Sequence, residues 1–160
     1  TTGWTAKAGV PLVLLLLAAE YSNRPMWIGP AMPAAPPDVY KVLKGAAPGA
    51  VVELPMPDLG ALPGLDPMFE SWSLWHWKPL VNGYSGYFPP HYGRIMLALT
   101  QLSRHPDLSL SELRAIGTTH ALVHEGAFLD REGVDTTAAL RRLGATELFR
   151  SGSDVLLALP

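Results

Sequence analysis

The run Thr119-His120-Ala121-Leu122-Val123-His124 is apolar at its centre, follows Gly117, and is too short for a stable helix. It reads as a strand. A second run, Ala50-Val51-Val52-Glu53-Leu54, ends at Pro55 and reads as a short buried strand. Three helix signals lie between the two. Asp66-Pro67 starts the first, with Asp66 as cap and Pro67 in the first turn. This helix carries Met68, Trp72 and Trp75 at i, i+4, i+7 until Lys78-Pro79 ends it. Tyr92, Ile95, Met96, Leu99 and Leu102 share one face of an amphipathic helix. Ser109-Leu110-Ser111-Glu112 has the form of a capping box, which starts a helix through Leu113 and Ile116. A long helical crossover of this kind joins parallel strands.

Working outward, residues 135–143 form a helix stopped by Gly144. Residues 146–150 and 155–159 are strands, and Gly152-Ser153 between them makes a hairpin. Upstream, Pro37-Asp38 opens a short helix with Val39, Val42 and Leu43 on one face, and Gly45 stops it. The expected fold class is α/β: a small α/β sandwich with a mixed sheet over residues 38–160.

Composition narrows the function classes. The chain has 160 residues, 48% of them hydrophobic and 16% charged. The charged share is well below the usual ~25%, which excludes an intrinsically disordered chain. Twelve Lys and Arg against 14 Asp and Glu leave a net charge of -2, the wrong balance for a nucleic-acid binder. No cysteine is present, so a disulfide scaffold, a thiolate metal site and a Cys nucleophile are excluded. Sixteen prolines, about twice the usual share, imply much irregular backbone.

Residues 8–19 read AGVPLVLLLLAA, 12 residues without a charge, between Lys7 and Glu20. Trp4 precedes them, and Tyr21 and Trp27 follow, where an aromatic belt would sit. Pro11 falls in the first turns, where a missing N–H costs least. Three readings fit: a membrane-spanning helix, the apolar part of a signal peptide, or a buried core helix. The run lacks the polar stripe of a soluble helix, which favours lipid. The expectation is a transmembrane anchor at residues 1–22, with Trp4, Pro11, Leu14, Leu17 and Tyr21 as its marker residues. Lys7 before the helix places the following domain outside. The chain opens on Thr1 rather than Met, as expected of a processed chain or a piece of a longer one. Residues 23–37 hold five prolines and read as a semi-rigid linker.

Two stretches suggest chemistry. Trp72-Ser73-Leu74-Trp75-His76-Trp77-Lys78 is a platform facing sugar or lipid, plain core packing, or a set of tryptophans resting at the membrane interface. Asn82-Gly83-Tyr84-Ser85-Gly86-Tyr87-Phe88-Pro89-Pro90-His91-Tyr92 is rich in glycine and aromatics and can cradle a ligand, or it is a rigid loop covering the sheet. It carries neither a phosphate-loop ending nor a dinucleotide fingerprint. The candidate ligand or interface residues are Trp72, Trp75, His76, Trp77, Lys78, Asn82, Tyr84, Tyr87, His91 and Tyr92. Glu53, at a strand end, stands where open α/β sheets place sites, but no pattern brings a second carboxylate beside it. His120 and His124 share a strand face, whereas Glu125 points to the other one. No metal, cofactor or catalytic set is expected from these spacings.

Several of these segments together carry a resemblance: Val10 to Glu20, Val39-Tyr40, Val51-Val52-Glu53-Leu54-Pro55, and Leu113 to His124, with residues 76–90, HWKPLVNGYSGYFPP, the strongest part. The chain resembles, over nearly its whole length, the C-terminal end of large bacterial polytopic membrane proteins of the protein mannosyltransferase type. The resemblance implies an extracytoplasmic domain behind a multi-helix membrane core, on the periplasmic side of a bacterial inner membrane. The catalytic acids of such transferases lie in an early loop of that core, so none is carried over to a residue here. The expected function is a non-catalytic, membrane-anchored accessory or structural subunit of a larger membrane assembly, such as a respiratory or photosynthetic complex. The alternative is the C-terminal domain of a lipid-linked sugar transferase, assisting glycan or acceptor binding. The expected partners are the lipid bilayer, other membrane subunits and a lipid-linked sugar, with no nucleic acid.

Overall fold

A computed structural model of the chain describes residues 3–22, 35–58, 60, 64–83 and 88–160. The chain divides into two compact units, Thr1–Ala34 and Ala35–Pro160. The described part of the first is a single helix, α1 (Gly3–Tyr21), with Pro11 inside it. Its side chains from Val10 to Leu17 are exposed. The expectation of a membrane span is corrected here. The uncharged run is 12 residues, about 18 Å of helix, against a hydrocarbon core of about 30 Å. Among the described residues no helix is long and apolar enough to cross a membrane. The expected linker lies, from residue 23 to 34, outside the described residues, as does Trp27.

The second unit is an α/β fold. Its elements are α2 (Asp38–Gly45), β1 (Ala50–Leu54), α3 (Asp66–Ser73), α4 (Tyr92–Thr100), α5 (Pro106–Ala115), β2 (Thr118–His124), α6 (Glu132–Arg142), β3 (Thr146–Ser151) and β4 (Asp154–Ala158). The sheet is mixed, in the order β1-β2-β4-β3. β1 and β2 are parallel, as the crossover predicted, and β3 and β4 form the expected hairpin. The hairpin folds back so that β4, not β3, pairs antiparallel with β2.

Alternation along the strands sorts the core into two faces. Val52, Leu54, Ala121, Val123, Val155 and Leu157 pack under α4, α5 and α6 through Ile95, Met96, Leu99, Leu113 and Leu140. Val51, Leu122 and Leu156 pack on the other face against Val39, Tyr40 and Leu43 of α2, with Trp72, Trp75 and Leu80 alongside. Each fully buried Leu or Val contributes about 1.5–3 kcal/mol relative to exposure.

Three local expectations are corrected. α5 starts at Pro106, not at Ser109, because proline at the first helical position is pre-set for the helix and has no N–H to lose. Ser109 is buried inside the helix, and its hydroxyl donates to the Ala98 carbonyl at 2.5 Å, tying α5 to α4. Asp66 does not cap α3; its buried side chain turns inward, and Phe69 rather than Met68 enters the core. α3 also stops at Ser73, and residues 75–77 continue as turns hydrogen-bonded to the Trp72 and Ser73 carbonyls.

Candidate functional site

The site grows from the strand alternation. Val51 and Glu53 share a face of β1, Leu122 and His124 share that face of β2, and Asp154 opens β4 directly opposite His124. Three neighbouring strands therefore carry Glu53, His124 and Asp154 in a row at the carboxyl end of the parallel pair, where open α/β sheets place their sites. His124 Nδ1 bonds to Asp154 Oδ1 at 2.9 Å and its Nε2 to Glu53 Oε2 at 3.2 Å. Tyr40 of α2 donates its hydroxyl to the same Glu53 oxygen at 2.5 Å. Aromatic rings enclose His124: Phe69 is stacked at 5.0 Å and Trp72 tilted at 6.3 Å.

The electrostatics follow from this geometry. Burial works against charge on His124, but the hydrogen bonds to Asp154 and Glu53 outweigh it and push the imidazole up to about 9. His124 is therefore an imidazolium between two carboxylates, with the face of Phe69 adding a cation–π contact. Burial pushes the Glu53 carboxyl upward, while the hydrogen bonds from His124 and Tyr40 pull it back. Burial, then the Glu53 charge, raises the Tyr40 phenol. Every group on Glu53 Oε2 is a donor, the arrangement of an ionised carboxylate.

Asn82 sets the position of Glu53. Its side-chain amide accepts from Glu53 N–H at 2.7 Å and donates to Glu53 C=O at 2.8 Å, as a strand neighbour would. Its donor also reaches Asp66 Oδ1 at 3.1 Å. Just before it, Val51 N–H bonds to Pro79 C=O and Val81 N–H to Val51 C=O. Residues 79–82 thus cover the outer edge of β1.

No family model, curated protein or solved structure matches this chain.

The structure brings His76, Asn82 and Trp72 of the sequence candidates to this cluster. Trp72 meets Tyr40 edge-on at 5.2 Å, and His76 stacks on Tyr40 at 6.0 Å. Trp75 is half-buried in the same core. Lys78 Nζ donates to the Ala46 and Ala47 carbonyls at 2.9 and 2.7 Å, just past the C-terminus of α2, where a cation is favoured. Tyr92 is buried, stacked on Phe88 at 5.0 Å and bonded to Gly83, so its ring belongs to the core. Burial raises its phenol to about 12. His91 is exposed before α4 and makes no capping bond. Trp77 is 77% exposed. Tyr84 and Tyr87 lie outside the described residues.

The sequence reading missed Tyr40, His124 and Asp154 as site residues and did not see how Glu53 gains a second carboxylate. The signal was the shared strand parity of Glu53, His124 and Asp154. Glu125, considered beside His124, instead pairs with Arg150 at 2.7 and 3.2 Å. His120 shares the His124 face but bonds to Thr119 Oγ1 at 2.8 Å. Among the described residues no group of three or more His, Asp or Glu could hold a metal ion. The His76 Nδ1 accepts the Lys78 N–H at 3.0 Å, so the ring proton of the neutral imidazole sits on Nε2.

Chemically, the arrangement holds one positive charge between two negative ones. Glu53 and Tyr40 have no exposed surface, the His124 side chain is 9% exposed, and Asp154, whose side chain is 27% exposed, is the widest opening to solvent among these four. It is a buried charge lock joining α2, β1, β2 and β4.

Proposed function

We propose that the chain is a non-catalytic α/β domain that works as a structural or accessory part of a larger membrane protein assembly at a bacterial inner membrane, on the periplasmic side. The carrying observation is α1, whose residues Val10 and Leu12 to Leu17 are 43–68% exposed. A helix that is apolar on all sides is stable only in apolar surroundings. Too short to cross alone, it is taken up among the lipid and helices of its assembly. The burial of Glu53 and Tyr40 in the charge lock of the α/β unit supports a structural rather than a catalytic role, since the reacting groups of an enzyme must meet substrate. The test is flotation of the full chain with lipid vesicles, against Leu14→Lys/Leu15→Lys. The chain is expected to float and the variant to stay in the aqueous fraction. A wild-type chain that stays behind as a monomer overturns the proposal.

A second reading is favoured by Trp77, an exposed indole fit to stack on a sugar face. In it the chain is the C-terminal domain of a lipid-linked sugar transferase and assists glycan or acceptor binding. Saturation-transfer NMR with a polyprenyl-phosphate sugar tests it: signal transfer that Trp77→Ala abolishes supports it, and none from the wild type refutes it.

A further inference from the structure

The turn at residues 76–78 holds a titratable group that the charge lock does not use. The His76 side chain is completely buried. Its Nδ1 accepts the Lys78 N–H at 3.0 Å, which fixes the ring proton on Nε2. Among the described residues, that Nε2 has no partner, and neither has Glu53 Oε1; the two lie 3.9 Å apart. A donor and an acceptor, both buried and both unsatisfied, thus face each other across a gap slightly too wide for a hydrogen bond.

Between the two bonded residues sits Trp77, at φ 55. A bulky residue in the left-handed region is a genuine outlier and persists only where its surroundings impose it. Here two ties impose it. On one side is the His76–Lys78 bond, and on the other the Lys78 ammonium, fastened to the Ala46 and Ala47 carbonyls. The indole they hold out is 77% exposed.

We propose that His76 is an acid-sensitive latch on the Trp77 turn. A proton from solvent binds Nδ1 and takes the lone pair that the Lys78 N–H uses. The imidazolium then closes on Glu53 Oε1, and Trp77 leaves the left-handed region, changing the surface at which its indole is presented.

The charged and titratable groups around His76 agree with this direction. Tyr40 of α2 stacks on it and donates to Glu53. Glu53 of β1 faces Nε2. His124 of β2 and Asp154 of β4 lie beyond Glu53 and keep it in a hydrogen-bonded network. Lys78 is the nearby cation, and burial followed by the Lys78 charge pulls His76 down to about 4. The latched turn therefore resists the proton that a freed imidazole takes near 6.5, and release falls between those values. This inference does not rest on the membrane reading.

The test is an NMR titration of the full chain in detergent micelles from pH 7.5 to 4, following the His76 ring nitrogens, Lys78 amide exchange and the Trp77 indole. The expected result is one shared midpoint below 6.5, at which His76 gains its second proton. Lys78 then exchanges at least tenfold faster, while the β2 amides stay protected. His76→Gln keeps an acceptor for Lys78 without a titrating ring, and its Lys78 and Trp77 signals should stay put. A His76 that remains the Nε2–H form to pH 4 overturns the latch. So does a Lys78 amide that is lost only with the β2 amides, or a transition that persists in His76→Gln.

Discussion

Replacing His124 by leucine removes the cation that joins Glu53 to Asp154. The rise of His124 from 6.5 to about 9, at about 1.4 kcal/mol per pH unit, makes its charged contacts worth about 3 kcal/mol. Taking one partner from a buried ion pair costs about 3–5 kcal/mol. Three features soften the loss here. Asp154 is partly exposed and can be solvated, leucine packs against Phe69, and Glu53 can take up a proton. The expected loss is about 2–4 kcal/mol at pH 7, read from urea unfolding followed by circular dichroism. Glu53→Leu/His124→Leu strands no fully buried charge, since the Asp154 left behind is partly exposed, and should cost at least about 1 kcal/mol less than the sum of the single changes. The pH dependence has a definite sign. The folded-state value lies above the unfolded one, so the His124 contribution is complete below pH 6.5 and is lost as pH rises through about 9. The leucine variant should lack that alkaline decline. A single-variant loss under about 1 kcal/mol, with additive behaviour in the double variant, would refute the reasoning.

Other substitutions probe the frame around the lock. Asn82→Ala leaves the buried Glu53 N–H and C=O without their side-chain partner and should cost about 2–4 kcal/mol in the same urea assay. Gly133→Ala would place a methyl group 2.5 Å from the Glu125 carbonyl oxygen, so α6 must shift; a loss of about 1–3 kcal/mol is expected as a lowered thermal midpoint. Trp77→Gly relieves about 1–2 kcal/mol of left-handed strain and pays back about 0.5–1 kcal/mol in chain entropy. The net is a gain of about 0.5 kcal/mol in urea stability, and a loss above about 1 kcal/mol would contradict the strained turn.

The strands, the hairpin and α4 were legible because their signals are local. Val51 and Val52 before Pro55, Gly152-Ser153 between two apolar runs, and Tyr92 to Leu99 at helical spacing each name their own structure. The site was not legible, because it depends on pairing. Asp154 meets His124 only because β4 folds in beside β2. The stretch from His76 to Asn82 shows a different limit. Its polar groups look like ligand contacts in sequence, yet Lys78, Pro79, Val81 and Asn82 are engaged with backbone of the α2–β1 region. A side chain that binds backbone and one that binds a ligand carry the same letters. Pro106 likewise outranked the Ser109 capping signal through its preset φ, which a motif match does not weigh. For α1, apolar character was readable and helix formation followed, but the distance between Lys7 and Glu20 limits what that helix can do in a membrane.

The central claim is that this chain works inside a larger membrane assembly. It is tested most directly by native mass measurement of the protein extracted from its own membranes in mild detergent, with the accompanying chains identified. The account predicts a stable complex with other membrane proteins, released from the chain by Leu14→Lys/Leu15→Lys. A lone, detergent-independent monomer in the aqueous fraction would contradict it.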